Sequence, residues 1–143
     1  MKVLIDLNVL LDVVQCRSPH YHDSAAVLSL VRADGLRALI PAHGITTLHY
    51  IISKAAGQAK AAESVDWLLE HFEVAAVGRE TLRRARQLPF GDFEDALVAS
   101  LAEATSCSHV VTRNTADFAR SPVPARSPTD FLVLFAARSS HAP

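Results

Sequence analysis

Cysteine is scarce: the chain has two, Cys16 and Cys107, far apart and in neither a Cys-x-x-Cys nor a mixed Cys/His spacing. That excludes a disulfide framework and a zinc-finger-like site, and it fits a reducing, intracellular compartment. Excess charge of one sign is also missing, since fourteen Lys and Arg face fifteen Asp and Glu for a net charge of -1. A whole-molecule field that gathers polyanions is therefore excluded, and any nucleic-acid site must be local. No apolar run approaches the ~18 residues of a membrane span. At the N-terminus, Asp6 interrupts what would have to be a signal-peptide core. A cytoplasmic protein without membrane association is expected.

What is present is apolar residues, 50% of 143, enough for one well-packed domain and too few residues for two. Lys2 to Ile5 reads as a short buried strand, followed directly by a helix with Leu7, Leu10, Leu11 and Val14 on one face. Ser18-Pro19 predicts a second helix start, and Leu36 to Ile40 a second strand stopped by Pro41. Helical stripes follow over 44–56 and 58–72, then a strand over 73–77 and a basic helix over 80–88. A helix opens at Asp92, a fourth strand covers 109–112, a short edge strand lies near Ala125, and a last helix spans 129–137. Alternating strands and helices predict a three-layer α/β sandwich with a mainly parallel, twisted sheet of four to five strands flanked by helices. One domain over 1–138 with a frayed tail at 139–143 is expected.

In such a sheet, ligands bind outside the carboxyl ends of the strands. Asp6 follows strand one, Asn114 and Asp117 follow strand four, and Asp92 and Asp95 open a helix on one face. Carboxylates converging on one rim repel each other, and a hard divalent cation relieves them. The combination points to metal-assisted phosphodiester hydrolysis. Asp92 with Asp95 also has the spacing of a helix cap and its partner, so both roles stay open. Asp6 has little such structural alternative, while Asp12 and Asp117 divide between loop roles and the site. His20, His22, His43 and His49 form no ligand set and read as surface or satisfied polar residues. The cluster Arg79, Arg83, Arg84 and Arg86 suits phosphate contacts or a plain solvated helix face.

The segments Val-Leu-Ile-Asp-Leu-Asn-Val-Leu-Leu-Asp (3 to 12), Asp-Phe-Glu-Asp-Ala-Leu-Val-Ala-Ser (92 to 100) and Val-Val-Thr-Arg-Asn-Thr-Ala-Asp-Phe (110 to 118) resemble, in order, the three signature blocks of PIN domains. Ser-Pro-Thr-Asp-Phe-Leu (127 to 132) is similar to the family's closing motif. Chains of this length in the family are mostly like VapC toxins. The resemblance implies a Mg²⁺- or Mn²⁺-dependent endoribonuclease acting on RNA, homodimeric and held inactive by a cognate antitoxin. It implies catalytic roles for Asp6 and Asp95, and metal binding by Asp6, Asp92, Asp95 and Asp117. Asn8, Asn114 and Thr47 are supporting positions, and Arg113, Arg79, Arg83 and Lys54 are candidates for RNA contacts, with Arg84 beside them.

Two departures stand out. Leu7 replaces the motif's usual hydroxyl residue, and the family's second acid aligns with Thr47. They favour an alternative, a catalytically weakened PIN fold that binds RNA or an antitoxin. A dehalogenase-type phosphatase, which also begins with an Asp after strand one, needs a second Asp where Asn8 stands. Finally, the apolar stripes at Leu48, Ile51 and Ile52 and at Val65, Leu68 and Leu69 exceed what one core is expected to hold, which predicts a dimer face or an antitoxin groove.

Overall fold

A computed structural model describes residues 1–33 and 35–142. The elements alternate as β1 (Lys2–Ile5), α1 (Leu7–Val14), α2 (Tyr21–Arg32), β2 (Arg37–Pro41), α3 (Ala42–Ala56), α4 (Gln58–His71) and β3 (Glu73–Ala75). They continue as α5 (Arg79–Gln87), α6 (Phe93–Ala104), β4 (His109–Val111), a 3₁₀ turn (Thr115–Phe118), β5 (Ala125–Arg126) and α7 (Pro128–Ser140). The strands lie in the order β3-β2-β1-β4-β5, and every pairing is parallel. The chain runs outward from β1 through β2 to β3, then returns to place β4 on the other side of β1. The order therefore reverses between β1 and β4, which is where open parallel sheets place ligands.

The pleat sorts the core into two layers. Val3 and Ile5, Ala38 and Ile40, and Val111 face a cluster built with Leu10, Val27, Leu48, Leu68 and Phe131 of α1–α4 and α7. Leu4, Leu39 and Val110 face the opposite way, onto Ala85 of α5 and Ala96, Ala99 and Leu101 of α6. Strands covered on both faces need not alternate in polarity, which explains the unbroken Val-Leu-Ile of β1. The three-layer parallel architecture is thus the one expected, with all five strands parallel. Among the described residues no helix is long and apolar enough to cross a membrane.

Local chemistry sets the element ends. Ser127 Oγ accepts from Asp130 N at 3.1 Å with Pro128 following, a cap and first-turn proline that start α7. Gly57, at φ 91°, makes the break between α3 and α4, a conformation unfavourable for residues with a Cβ. Some boundaries move. Helix α2 begins at Tyr21, because residues 18–20 form a turn and no side chain caps the helix. Pro41 ends β2 as its last residue, so α3 starts at Ala42 rather than at Gly44. Helix α7 runs through Ser140, shortening the tail expected at 139–143, of which Pro143 lies outside the described residues.

The surplus apolar surface expected on α3 and α4 is largely core. Leu48, Ile52 and Leu68 are buried, Ile51 and Val65 pack partly against them, and Leu69 is left exposed. The stripe looked too wide because two consecutive helices share one face of the sheet.

Candidate active site

Asp6 is the first residue beyond β1 and is only 7% exposed. Leu7 N donates to its Oδ1 at 2.8 Å, so the carboxylate caps α1, a structural role the sequence reading had discounted. Its other oxygen, Oδ2, accepts from Thr112 Oγ1 at 2.8 Å, across the β1/β4 ladder. Asn8 Nδ2 lies 3.5 Å from that same Oδ2 and 3.3 Å from Thr112 Oγ1, while Asn8 Oδ1 accepts from Arg113 N at 3.2 Å. Asn8 thus ties the start of α1 to the end of β4. Thr112, fully buried, also accepts from Asn114 N at 3.1 Å. Thr112 was missed as a site residue, although its place at the end of β4 beside Asp6 in β1 was available from the strand pattern. Leu7 lacks the expected hydroxyl, and its side chain instead packs partly buried against the core beside α3.

The second carboxylate group opens α6. Asp92 Oδ1 accepts from Asp95 N at 3.0 Å, so Asp92 is the helix cap, and Glu94 and Asp95 fall in the first turn where the helix dipole favours negative charge. Asp92, Glu94, Asp95, Asn114, Asp117 and Arg120 line an open cleft of about 600 Å³ between the start of α6 and the segment after β4. Burial, then the charges of Asp6, Asp92, Asp117 and Glu94, push the Asp95 carboxyl up to about 6. The carboxyl of Asp6 is also raised, by burial first and by Glu94, against the lowering effect of Thr112 and Leu7. Each acid therefore senses others from a different element, as the shared rim requires.

Two members of this group escaped the sequence reading. Glu94 acts on both Asp6 and Asp95. His43, taken for a surface or satisfied histidine, stands in the first turn of α3; its Nδ1 is enclosed without a hydrogen-bond partner among the described residues. Burial lowers its proton affinity, against the opposing charges of Glu94 and Asp6. Thr47 is one turn further along α3 on the side of His43, its Oγ1 3.4 Å from the His43 carbonyl oxygen.

Other candidates lie elsewhere. Asp12 is fully buried, accepts from Ser24 Oγ at 2.9 Å, and has Arg113 Nε 2.9 Å from the same oxygen. The angle of that contact is too poor for a hydrogen bond, which leaves an ion pair. Arg113 is thereby committed to a structural partner and is not a free cation for RNA. Arg84 is held by Glu103 through contacts of 2.8 and 3.1 Å. Lys54 belongs to the last turn of α3, about 18 Å along the axis from the helix start at the rim, and it sits over the Tyr50 ring. Arg79 and Arg83 line a separate depression beside α5.

The donors suit a hard divalent cation: they are carboxylate oxygens, burial and then the neighbouring acids hold a proton on Asp95 to unusually high pH, and a cation offsets both effects. Among the described residues, however, no three His, Cys, Asp or Glu side chains stand close enough to enclose an ion. The expected four-acid set of Asp6, Asp92, Asp95 and Asp117 is thus not preassembled. Asp92 is turned to the Asp95 amide and Asp6 to Thr112.

The profile of the PIN domain family matches residues 2–116. A ribonuclease named VapC1 from Aquifex aeolicus is 25% identical over 118 residues, 79% of this chain and 81% of that protein. Among solved structures, the DNA-bound VapBC complex of Salmonella typhimurium contains a chain superposing with a TM-score of 0.71 at 19% identity, covering 90% of this chain and 98% of its own. VapBC2 of Rickettsia felis, bound to a promoter DNA fragment, gives 0.69 at 20% identity, covering 89% and 98%.

Proposed function

Since this chain belongs to the PIN domain family, we propose that it is a metal-dependent endoribonuclease that hydrolyses RNA phosphodiester bonds, the toxin of a toxin-antitoxin pair. The observation that carries the reading is Asp95, whose carboxyl is raised to about 6 by burial and by four acids, Asp92 and Glu94 beside it and Asp6 and Asp117 from other elements. Asp6 and Asp95, joined by Asp92, Glu94 or Asp117 once these turn toward them, would hold Mg²⁺ or Mn²⁺, which would supply an activated water and neutralise phosphate charge. Asp6 keeps one orientation because Leu7 N and Thr112 Oγ1 each grip one of its oxygens. Arg120 and Asn114, which also line the cleft, would contact the phosphates next to the cut. A cognate antitoxin and a second copy of the chain are the partners, and the cytoplasm the location, on the same family grounds.

Cleavage of a fluorogenic single-stranded RNA in Mn²⁺ tests the proposal. Parent protein cleaves, whereas Asp6→Asn and Asp95→Asn lose at least about a hundredfold, the scale on which metal-ligand or charge-stabilising groups act. A second reading, an RNA- or antitoxin-binding module without cleavage, is favoured by Thr47, which offers a hydroxyl where the family has a carboxylate. RNA affinity without turnover at saturating Mn²⁺ selects it.

A further inference from the structure

Helix α5 carries Arg79, Leu82, Arg83 and Arg86 at i, i+3, i+4 and i+7, so the four share one face, while Ala85 is buried on the other. That face borders an open depression of about 630 Å³ that is also lined by Phe93, 48% exposed. A plain solvated helix face does not end on a large exposed aromatic ring. Phe93 is the first residue of α6, between Asp92 and Glu94, which line the carboxylate cleft. The two depressions share no lining residue, but they draw on consecutive positions at the start of α6.

Charge decides what fits there. The cleft is acidic and the molecule has a net charge of -1, so a polyanion is drawn to the acids only by local positive charge. The α5 stripe is such a source. Arg84 is spent on Glu103, and among the described residues Arg83 is held only by Glu80, an exposed i, i+3 pair of little worth. Arg79 and Arg86 form no salt bridge among the described residues. An exposed aromatic face beside arginines is the pairing by which single strands are bound, base on ring and phosphate on guanidinium, whereas a duplex hides its base faces.

We propose that Phe93 and the Arg79–Arg83–Arg86 stripe form a single-stranded RNA subsite, in which a base beside the scissile phosphate stacks on Phe93 and the adjoining backbone runs along α5. The subsite rests on the nuclease reading above and adds to it how the strand is held. It makes the enzyme select unpaired RNA and sets the position of the cut relative to the stacked base.

The test measures binding of a short fluorescein-labelled single-stranded RNA to the whole protein in EDTA, so that neither metal nor cleavage contributes. Loss of a stacked base, ~1–3 kcal/mol, corresponds to a weakening of about 5- to 150-fold in Phe93→Ala, and Phe93→Trp restores affinity. About half of Phe93 is exposed, so the alanine variant loses little buried surface and stays folded at the assay temperature, which its melting curve checks. Each of Arg79→Gln, Arg83→Gln and Arg86→Gln lowers the slope of log affinity against log salt by ~0.7. A 2-aminopurine placed beside the cut is quenched by the parent and not by Phe93→Ala. Equal RNA affinity for parent and Phe93→Ala, with the parent binding and cleaving, overturns the subsite and leaves the nuclease reading standing. A change of solution mass in Phe93→Ala without loss of RNA affinity also overturns it, because a second copy then covers the ring. A parent that neither binds nor cleaves single-stranded RNA removes the nuclease reading and the subsite together.

Discussion

Replacing Asp95 by Asn removes one charge from the rim with almost no change in shape, and the metal-free protein should become more stable. Asp95 titrates at about 6 in the fold against an ordinary value of 3.8, so the folded state binds its proton more tightly than the unfolded chain does. For an acid raised by folding, the cost is absent below about 4, grows as pH rises to about 6, and is complete above that. A shift of about two units corresponds to ~3 kcal/mol before screening. Asp95 is partly open to solvent, which reduces the figure to on the order of 1 kcal/mol, trimmed further by the lost attraction to the α6 dipole. Asp95→Asn should thus melt about 3 °C above the parent at pH 7.5 in EDTA, and level with it near pH 3.5. Saturating Mn²⁺ should reverse the order, because the parent gains about 2.7 kcal/mol at a hundredfold excess over its dissociation constant and the variant gains less. Scanning calorimetry across pH reads all three. A variant less stable than the parent at pH 7.5 without metal, or a difference that ignores pH, refutes the repulsive cluster.

Thr112→Val removes the hydroxyl that donates to Asp6 and accepts from Asn114 N, costing about 1–2 kcal/mol in urea melts. It should also move the acid limb of the pH–rate profile upward, with Thr112→Ser restoring it. Thr47→Glu should add an oxygen ligand and a charge, tightening Mg²⁺ binding and speeding cleavage at low metal. Thr47→Gln should gain little, and equal Mg²⁺ affinity for parent and Glu variant would mean that position 47 faces away from the rim. Arg113→Ala should destabilise by on the order of 3 kcal/mol, since it strands the buried Asp12 carboxylate, and adding Asp12→Asn should recover part of that. If Arg113→Ala weakens only RNA binding and leaves the urea midpoint unchanged, Arg113 is a substrate contact after all.

Features held in short stretches of chain were legible. The unbroken apolar β1, the Asp92 cap of α6 and the edge strand at Ala125–Arg126 follow from local pattern, and the parallel order follows from the crossovers between strands. What depended on distant partners was not. Arg113 looked free because its partner, Asp12, lies a hundred residues earlier and meets it only when α1 and β4 flank each other. His43 looked bland because its meaning comes from Glu94 and Asp6, which belong to other elements. Lys54 is a different case, since the length of α3 alone carries it away from the rim. Thr112, hidden inside a signature block, became a site residue only once β4 was paired with β1 and its hydroxyl met Asp6.

Calorimetric titration of Mn²⁺ into the RNA-free protein tests the central assignment most directly, because it separates ion binding from both substrate and turnover. The parent should bind with release of a fraction of a proton near pH 6, as the cation displaces it from Asp95, and Asp6→Asn and Asp95→Asn should each bind at least tenfold more weakly. Mn²⁺ affinity unchanged in both variants would contradict a metal centre built on these two carboxylates.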